Sequence, residues 1–289
     1  MGEKPSYTMH GEFRMPMGFP VAGFSSALEY RALPTDIFVA AYPKCGTTWV
    51  QYIVYLLLHQ GVPLAGDRLL GETIPHLEEV GKEPVERLPK PRAIKTHLPF
   101  GMTPAHPESR YLYVARNPFD CVVSFYHHTR GFAQHYDFSA GSFEDYFECF
   151  LAGEVDFGDY FDNLASWYEH CDDPNVHFLT YEVLKADVRP AVVAIAEFLE
   201  LPGGTDEATL NEIVRHSSLA NMRKGQGRWS SRRPEECPAF IRKGVVGDWL
   251  NYFSPDQAHR LADKFRARAE RSGFGHLWPD IIEAARQMS

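Results

Sequence analysis

The chain has 289 residues, 44% of them hydrophobic, enough for a substantial buried core. Its formal charge of −9 excludes a general nucleic-acid binder, and no apolar run reaches the length of a membrane span. The five cysteines (Cys45, Cys121, Cys149, Cys171, Cys237) show neither C-x-x-C nor zinc-type spacing, so they read as reduced thiols of a cytoplasmic protein. The start Met1-Gly2…Ser6 fits a loose myristoylation pattern, which is read as coincidence because Glu3 sits beside the glycine.

The first strong element is Asp36–Ala41, a short strand apolar on both faces. It runs into Tyr42-Pro43-Lys44-Cys45-Gly46-Thr47-Thr48-Trp49, after which Trp49, Ile53, Val54, Leu56, Leu57 and Leu58 space a helix ending near Gly61. Strand, tight turn with one glycine, then two threonines put unpaired N–H groups and hydroxyls at the positive end of a helix. Such an end binds phosphate or sulfate, and Lys44 adds a full charge there. The order is not that of a Walker A loop, where the lysine follows the last glycine. Nor is there the second carboxylate-bearing strand that would hold Mg²⁺. A metal-free site for a phosphorylated or sulfated donor follows.

Further strands are expected at Arg92–Thr96, Tyr111–Ala115 and Val176–Thr180. After the last, Pro190–Leu199 is apolar at Ala191, Val192, Ile195, Phe198 and Leu199, a good amphipathic helix. This alternation predicts one α/β domain over residues 1–289, with a mostly parallel central sheet covered by helices on both faces. Ligands of such sheets bind beyond the carboxyl ends of the strands. Lys44, His97, Arg116 and Tyr181 each follow a strand, and Asn117-Pro118 reads as a helix start with Ser124 two turns on. Any one of them would be an ordinary turn residue; four at one sheet end mark a site. Between Arg215 and Lys243 lie eight cations (Arg215, Arg223, Lys224, Arg228, Arg232, Arg233, Arg242, Lys243) against two acids, Glu235 and Glu236. An anionic ligand for some of them is expected, and solvent for the rest.

These residues resemble the cytosolic sulfotransferases, which move a sulfuryl group from 3′-phosphoadenosine 5′-phosphosulfate (PAPS) to a hydroxyl or amine. Tyr42–Trp49 resembles that family's 5′-phosphosulfate loop and Lys95-Thr96-His97-Leu98-Pro99 the strand end with its catalytic histidine. Tyr113 to Ser124 resembles the 3′-phosphate segment, and Arg242-Lys243-Gly244-Val245-Val246-Gly247-Asp248-Trp249 the C-terminal clamp. The resemblance implies PAPS as co-substrate, no metal, His97 as general base, and Lys44 and Lys95 on the bridging and sulfuryl oxygens. It implies nucleotide contacts for Lys44, Cys45, Gly46, Thr47, Thr48, Trp49, Arg116, Ser124 and Tyr181. Ser217, Leu219, Met222, Phe240, Ile241, Arg242, Lys243 and Gly244 complete that set within a clamp segment, 215–249. Residues 1–30 are implied to form part of the acceptor pocket.

Three departures stand out. Cys45 replaces the usual serine beside the lysine, and Leu219 replaces an aromatic that packs on adenine. The dimer motif expected after Trp249 is altered at Leu250, Ser254-Pro255 and His259, which leaves monomer or dimer open. For the acceptor, Lys95, Thr96, His97 and Phe132 are implied contacts, and alignment at Pro75 adds His76 and Glu79. A carboxylate there favours a phenol that also carries an ammonium, such as a catecholamine; the plainer alternative has Glu78 and Glu79 facing water. Aromatics at Phe19, Phe24, His76, Phe125, Tyr126, Phe132 and Tyr160 would shape an apolar slot, though each could equally be core. Two other classes stay open: a nucleotide phosphotransferase, and a non-catalytic nucleotide binder.

Overall fold

The computed structural model describes residues 4–11, 13–201, 206–229 and 239–289. Outside it lie Met1, Gly2 and Glu3 of the start, and Arg232, Arg233, Glu235, Glu236 and Cys237 of the basic stretch. Two strands, β1 (Tyr7–His10) and β2 (Phe13–Pro16), form an antiparallel hairpin with Tyr7 opposite Pro16. The central sheet holds β3 (Ile37–Ala40), β4 (Ala93–Thr96), β5 (Arg110–Ala115) and β6 (Val176–Thr180). All four are parallel, in the order β4-β3-β5-β6. Every residue of β3 is buried. Because side chains alternate across a strand, helices must flank both faces.

The strands match the expected positions to within a residue, and the differences have causes. Asp36 does not enter β3, because its buried carboxylate accepts from Tyr30 Oη at 2.6 Å and Leu33 N at 2.8 Å. Arg110 joins β5 instead, its N–H reaching Asp36 O at 2.9 Å. The first long helix is Thr47–Leu58, two residues earlier than the apolar pattern. Ten of its 12 residues are buried, so the spacing of apolar residues alone could not mark its start. Gly61, at φ 81°, ends it by returning its N–H to Leu56 O at 2.8 Å. Helix Val188–Phe198 likewise starts earlier than Pro190, since Asp187 caps it through Arg189 N at 3.0 Å.

From β3 the chain moves out to β4 and returns to the other side of β3 as β5. The order therefore reverses between β3 and β5, the crevice where open α/β sheets bind ligands. Loops leaving these strands carry Lys44, His97 and Arg116. No helix among the described residues is long and apolar enough to cross a membrane.

Candidate active site

The loop after β3 is bent by two left-handed residues, Lys44 at φ 69° and Gly46 at φ 107°. Gly46 immediately precedes helix Thr47–Leu58, whose first-turn N–H groups have no intrahelical partner. A Cβ on Gly46 would sit 2.9 Å from Tyr181 Cδ2. Gly46→Ala is therefore expected to cost about 1–3 kcal/mol in chemical denaturation, from steric and backbone strain together. Lys44 Nζ lies 3.5 Å from His128 Nδ1 and 4.3 Å from the Phe240 ring centre. Cys45 points the other way: its Sγ is buried 3.7 Å from Cys121 Sγ and does not line the cavity. Burial pushes this thiol well up, so it stays protonated.

His97 closes the end of β4 and lines the same cavity as Lys44 and Lys95. Its Nδ1 is 2.6 Å from Ala41 O. A carbonyl can only accept, so Nδ1 carries the proton and Nε2 keeps its lone pair. Glu78 Oε1 fixes the backbone, accepting from His97 N at 2.6 Å and from Thr96 Oγ1 at 2.9 Å. Burial, then the charge of Lys95, then His76, hold the His97 imidazole well below its ordinary pKa. Burial raises Glu78 and lowers Lys95 in the same way. Glu78 is thus fully buried, against the expectation that it faces water with Glu79. Its neighbour His76 pairs with Lys95 as an isolated bridge beside β4, and that alignment turns Glu78 inward.

On the other side of the cavity, Arg116 stacks 4.3 Å over Tyr181, which meets Trp49 edge-on at 5.7 Å. Its Nη1 donates to Lys44 O at 3.2 Å and Nη2 to Val245 O at 3.3 Å, while Nε is buried without a partner among the described residues. Thr47, Thr48, Ser124, Leu219, Met222, Phe240, Ile241 and Gly244 line the cavity as well. Of the six described cations in the basic stretch, Arg242 and Lys243 reach the cavity, both paired to Asp248, at 2.6 and 2.7 Å. Arg215, Arg223, Lys224 and Arg228 bind Glu212, the Arg242 and Lys243 carbonyls, Asn221 and Leu64 O instead. Ser217 and Thr96 are fully buried and line no part of the cavity.

The cavity wall also includes Phe19, His76, Glu79, Phe125, Phe132 and four residues that sequence reasoning missed: Tyr136, His135, Asp156 and Phe157. Phe24, Tyr126 and Tyr160 belong to the core. Asp156 and Phe157 sit in a loop whose only signal was Gly158. Phe157 itself is left-handed at φ 64°, with its N–H on Arg14 O at 3.0 Å, and its ring faces His97 at 5.0 Å. Bulky residues rarely hold that conformation unless their surroundings force it.

The family described as "Sulfotransferase domain" matches residues 34–273. Sulfotransferase 1C2 of Oryctolagus cuniculus is 34% identical over 257 residues, 84% of this chain and 86% of the relative. Sulfotransferase 1E1 of Homo sapiens is 34% identical over 240 residues, 78% of this chain and 80% of the relative. Among solved structures, mouse sulfotransferase SULT7A1 complexed with PAP is 29% identical, with a TM-score of 0.80 over 96% of this chain and 98% of that one.

Proposed function

Since the chain belongs to the sulfotransferase family, we propose that it transfers the sulfuryl group of PAPS to the hydroxyl of a small phenolic acceptor in the cytoplasm. The observation that carries this reading is His97, with Nδ1 committed to Ala41 O and its ring in the same cavity as Lys44 and Lys95.

The residues present fit such a donor. Arg116 brings a buried guanidinium with an unpartnered Nε, suited to a 3′-phosphate. Gly244 leaves room where a Cβ would stand 2.6 Å from Leu219 Cδ1, so that side chain and the clamp backbone meet closely. Thr47, Thr48 and the loop amides would hold the 5′-phosphosulfate; Trp49, Tyr181, Leu219, Met222, Phe240 and Ile241 would enclose the base; Ser124, Arg242 and Lys243 would join Arg116. Cys45 contributes its backbone alone to this scheme, and Ser217 and Thr96 support their neighbours from beneath. PAPS supplies the sulfuryl group and a stable bisphosphate leaving group.

The protein's part is positioning and charge. Charge spreads over the equatorial oxygens during in-line transfer, as in phosphoryl transfer. Lys44 would balance charge on the bridging oxygen and Lys95 that on the sulfuryl oxygens. Neutral His97 takes the acceptor's proton at Nε2, and its depressed pKa keeps it in the basic form at neutral pH.

Incubation with sulfur-labelled PAPS and a panel of phenols, with and without chelator, tests the reading. Labelled aryl sulfate formed in the presence of chelator is the expected result. Binding of the bisphosphate without transfer to any phenol would leave a nucleotide binder, and chelator-sensitive transfer from ATP a phosphotransferase.

A further inference from the structure

Asp156 is 1% exposed, yet it lines the cavity. One carboxyl oxygen is served: Tyr136 Oη donates to Oδ2 at 2.8 Å. The other, Oδ1, is buried without a hydrogen-bond partner among the described residues. Buried polar atoms are paired in the great majority of cases, because an unmade bond there costs the full desolvation penalty. The next residue, Phe157, is held in the left-handed region at φ 64°. We propose that Asp156 reads the acceptor: Oδ1 takes a charge-assisted hydrogen bond from an ammonium group that the phenol carries beyond its reacting ring. The proposal rests on the sulfotransfer reading above and names the acceptor class of that same site.

Glu79 is the competing carboxylate, and its surroundings assign it elsewhere. It lies 3.8 Å from His76 Nδ1, and its charge supports the Lys95 ammonium. The cations of the cavity, Lys44, Lys95, Arg116, Arg242 and Lys243, are assigned to the sulfuryl and phosphate groups. Glu72, the third carboxyl of the lining, is exposed to solvent, so Asp156 is the buried carboxyl left over, beside Phe132, His135, Tyr136 and Phe157. An ammonium bound there meets a full charge through a low-dielectric gap, where such a bond is strong. An uncharged phenol leaves Oδ1 unsatisfied, which is how a buried polar group rejects the ligand that lacks its partner.

Burial pushes the Asp156 carboxyl up to about 7, with the Tyr136 bond and the charge of Lys44 opposing. Tyr7, Tyr42 and Tyr136 also face it, and all three phenols are pushed above their ordinary range, so none of them titrates near neutrality. His128 and His135 line the same end of the cavity. An ammonium ligand therefore binds more tightly as pH rises through about 7 and Asp156 ionises.

The full chain and three phenols of matched shape provide the test: tyramine, 2-(4-hydroxyphenyl)ethanol and 4-ethylphenol. Transfer from PAPS gives kcat/KM, and calorimetry on the bisphosphate-bound protein gives Kd. Tyramine should be preferred over 4-ethylphenol by about ten- to a hundredfold, with the diol-like alcohol between. Asp156→Asn should lower tyramine by that factor relative to 4-ethylphenol, while Glu79→Gln keeps the preference. A preference that survives Asp156→Asn, or none in the wild type, overturns the proposal. If Asp156→Asn does not fold, the pH dependence of tyramine Kd decides. Tyr136→Phe removes a bond that favours the carboxylate and should move the inflection to higher pH. An inflection that stays put does not come from Asp156 and overturns the proposal. Tyramine binding with the expected inflection, but no transfer to any phenol, would sink the sulfotransfer reading and leave the role of Asp156 standing.

Discussion

Replacing His97 with alanine should cut kcat by roughly two orders of magnitude or more while leaving bisphosphate affinity nearly unchanged. The split follows from position. His97 lies on the β4 side of the cavity, and its contacts run to Ala41 O and Glu78, away from Arg116 and the clamp. Removing the ring leaves the nucleotide contacts intact and deletes the proton acceptor. Single-turnover assays with labelled PAPS and calorimetry with the bisphosphate measure the two halves separately. Turnover near the wild-type rate would take His97 out of the chemistry. The wild type offers a second check. Because burial and Lys95 depress the imidazole, the acid limb of kcat/KM for the donor should fall below the range of an ordinary histidine.

Arg116→Ala is the other large effect. Binding of adenosine 3′,5′-bisphosphate should weaken by about ten- to a hundredfold, the worth of a charge-assisted hydrogen bond of roughly 1.5–3 kcal/mol. A nucleotide lacking the 3′-phosphate should lose far less. Some loss common to both is expected, because Arg116 also ties down Lys44 O and Val245 O and covers the Tyr181 ring. The difference between the two ligands isolates the phosphate contact. Equal losses, measured by calorimetry, would make Arg116 a brace for the loop and nothing more.

How far the site could be read from sequence depends on where each part sits. Lys44, His97, Arg116 and Tyr181 were legible because a parallel sheet puts whatever follows its strands at one end, and strand ends are visible as apolar runs. Gly46 was legible because a lone glycine between strand and helix marks a turn. Glu78 was not, since its burial depends on an isolated pairing of His76 with Lys95 that no periodicity records. Asp156 and Phe157 were missed for a similar reason: their loop reaches the cavity through contacts with Arg14, far away in sequence. The basic stretch divides as composition suggested, since Arg242 and Lys243 reach the cavity while Arg215, Arg223 and Lys224 stay exposed on surface partners. Composition could not say which cations go where.

One chain of buried polar contacts links distant parts of the molecule. Trp278 Nε1 donates to Glu182 Oε2 at 2.7 Å, and Glu182 Oε1 accepts from Asn117 N at 3.0 Å and Asn117 Nδ2 at 2.7 Å. Asn117 caps the helix through Asp120 N at 2.9 Å, and the Asp120 carboxylate accepts from Gly247 N at 2.8 Å and Trp249 N at 3.1 Å. Asn117 and Asp120 are translated long before Gly247, Trp249 and Trp278. A chain still held on the ribosome with residues 247–278 inside the exit tunnel can form the sheet, yet its Asp120 and Glu182 lack the donors that complete the nucleotide side. Loop closure over such separations is slow compared with local helix formation. Folding therefore has an order: scaffold first, then the clamp, with competence to bind the nucleotide following once residues 247–278 have joined the scaffold.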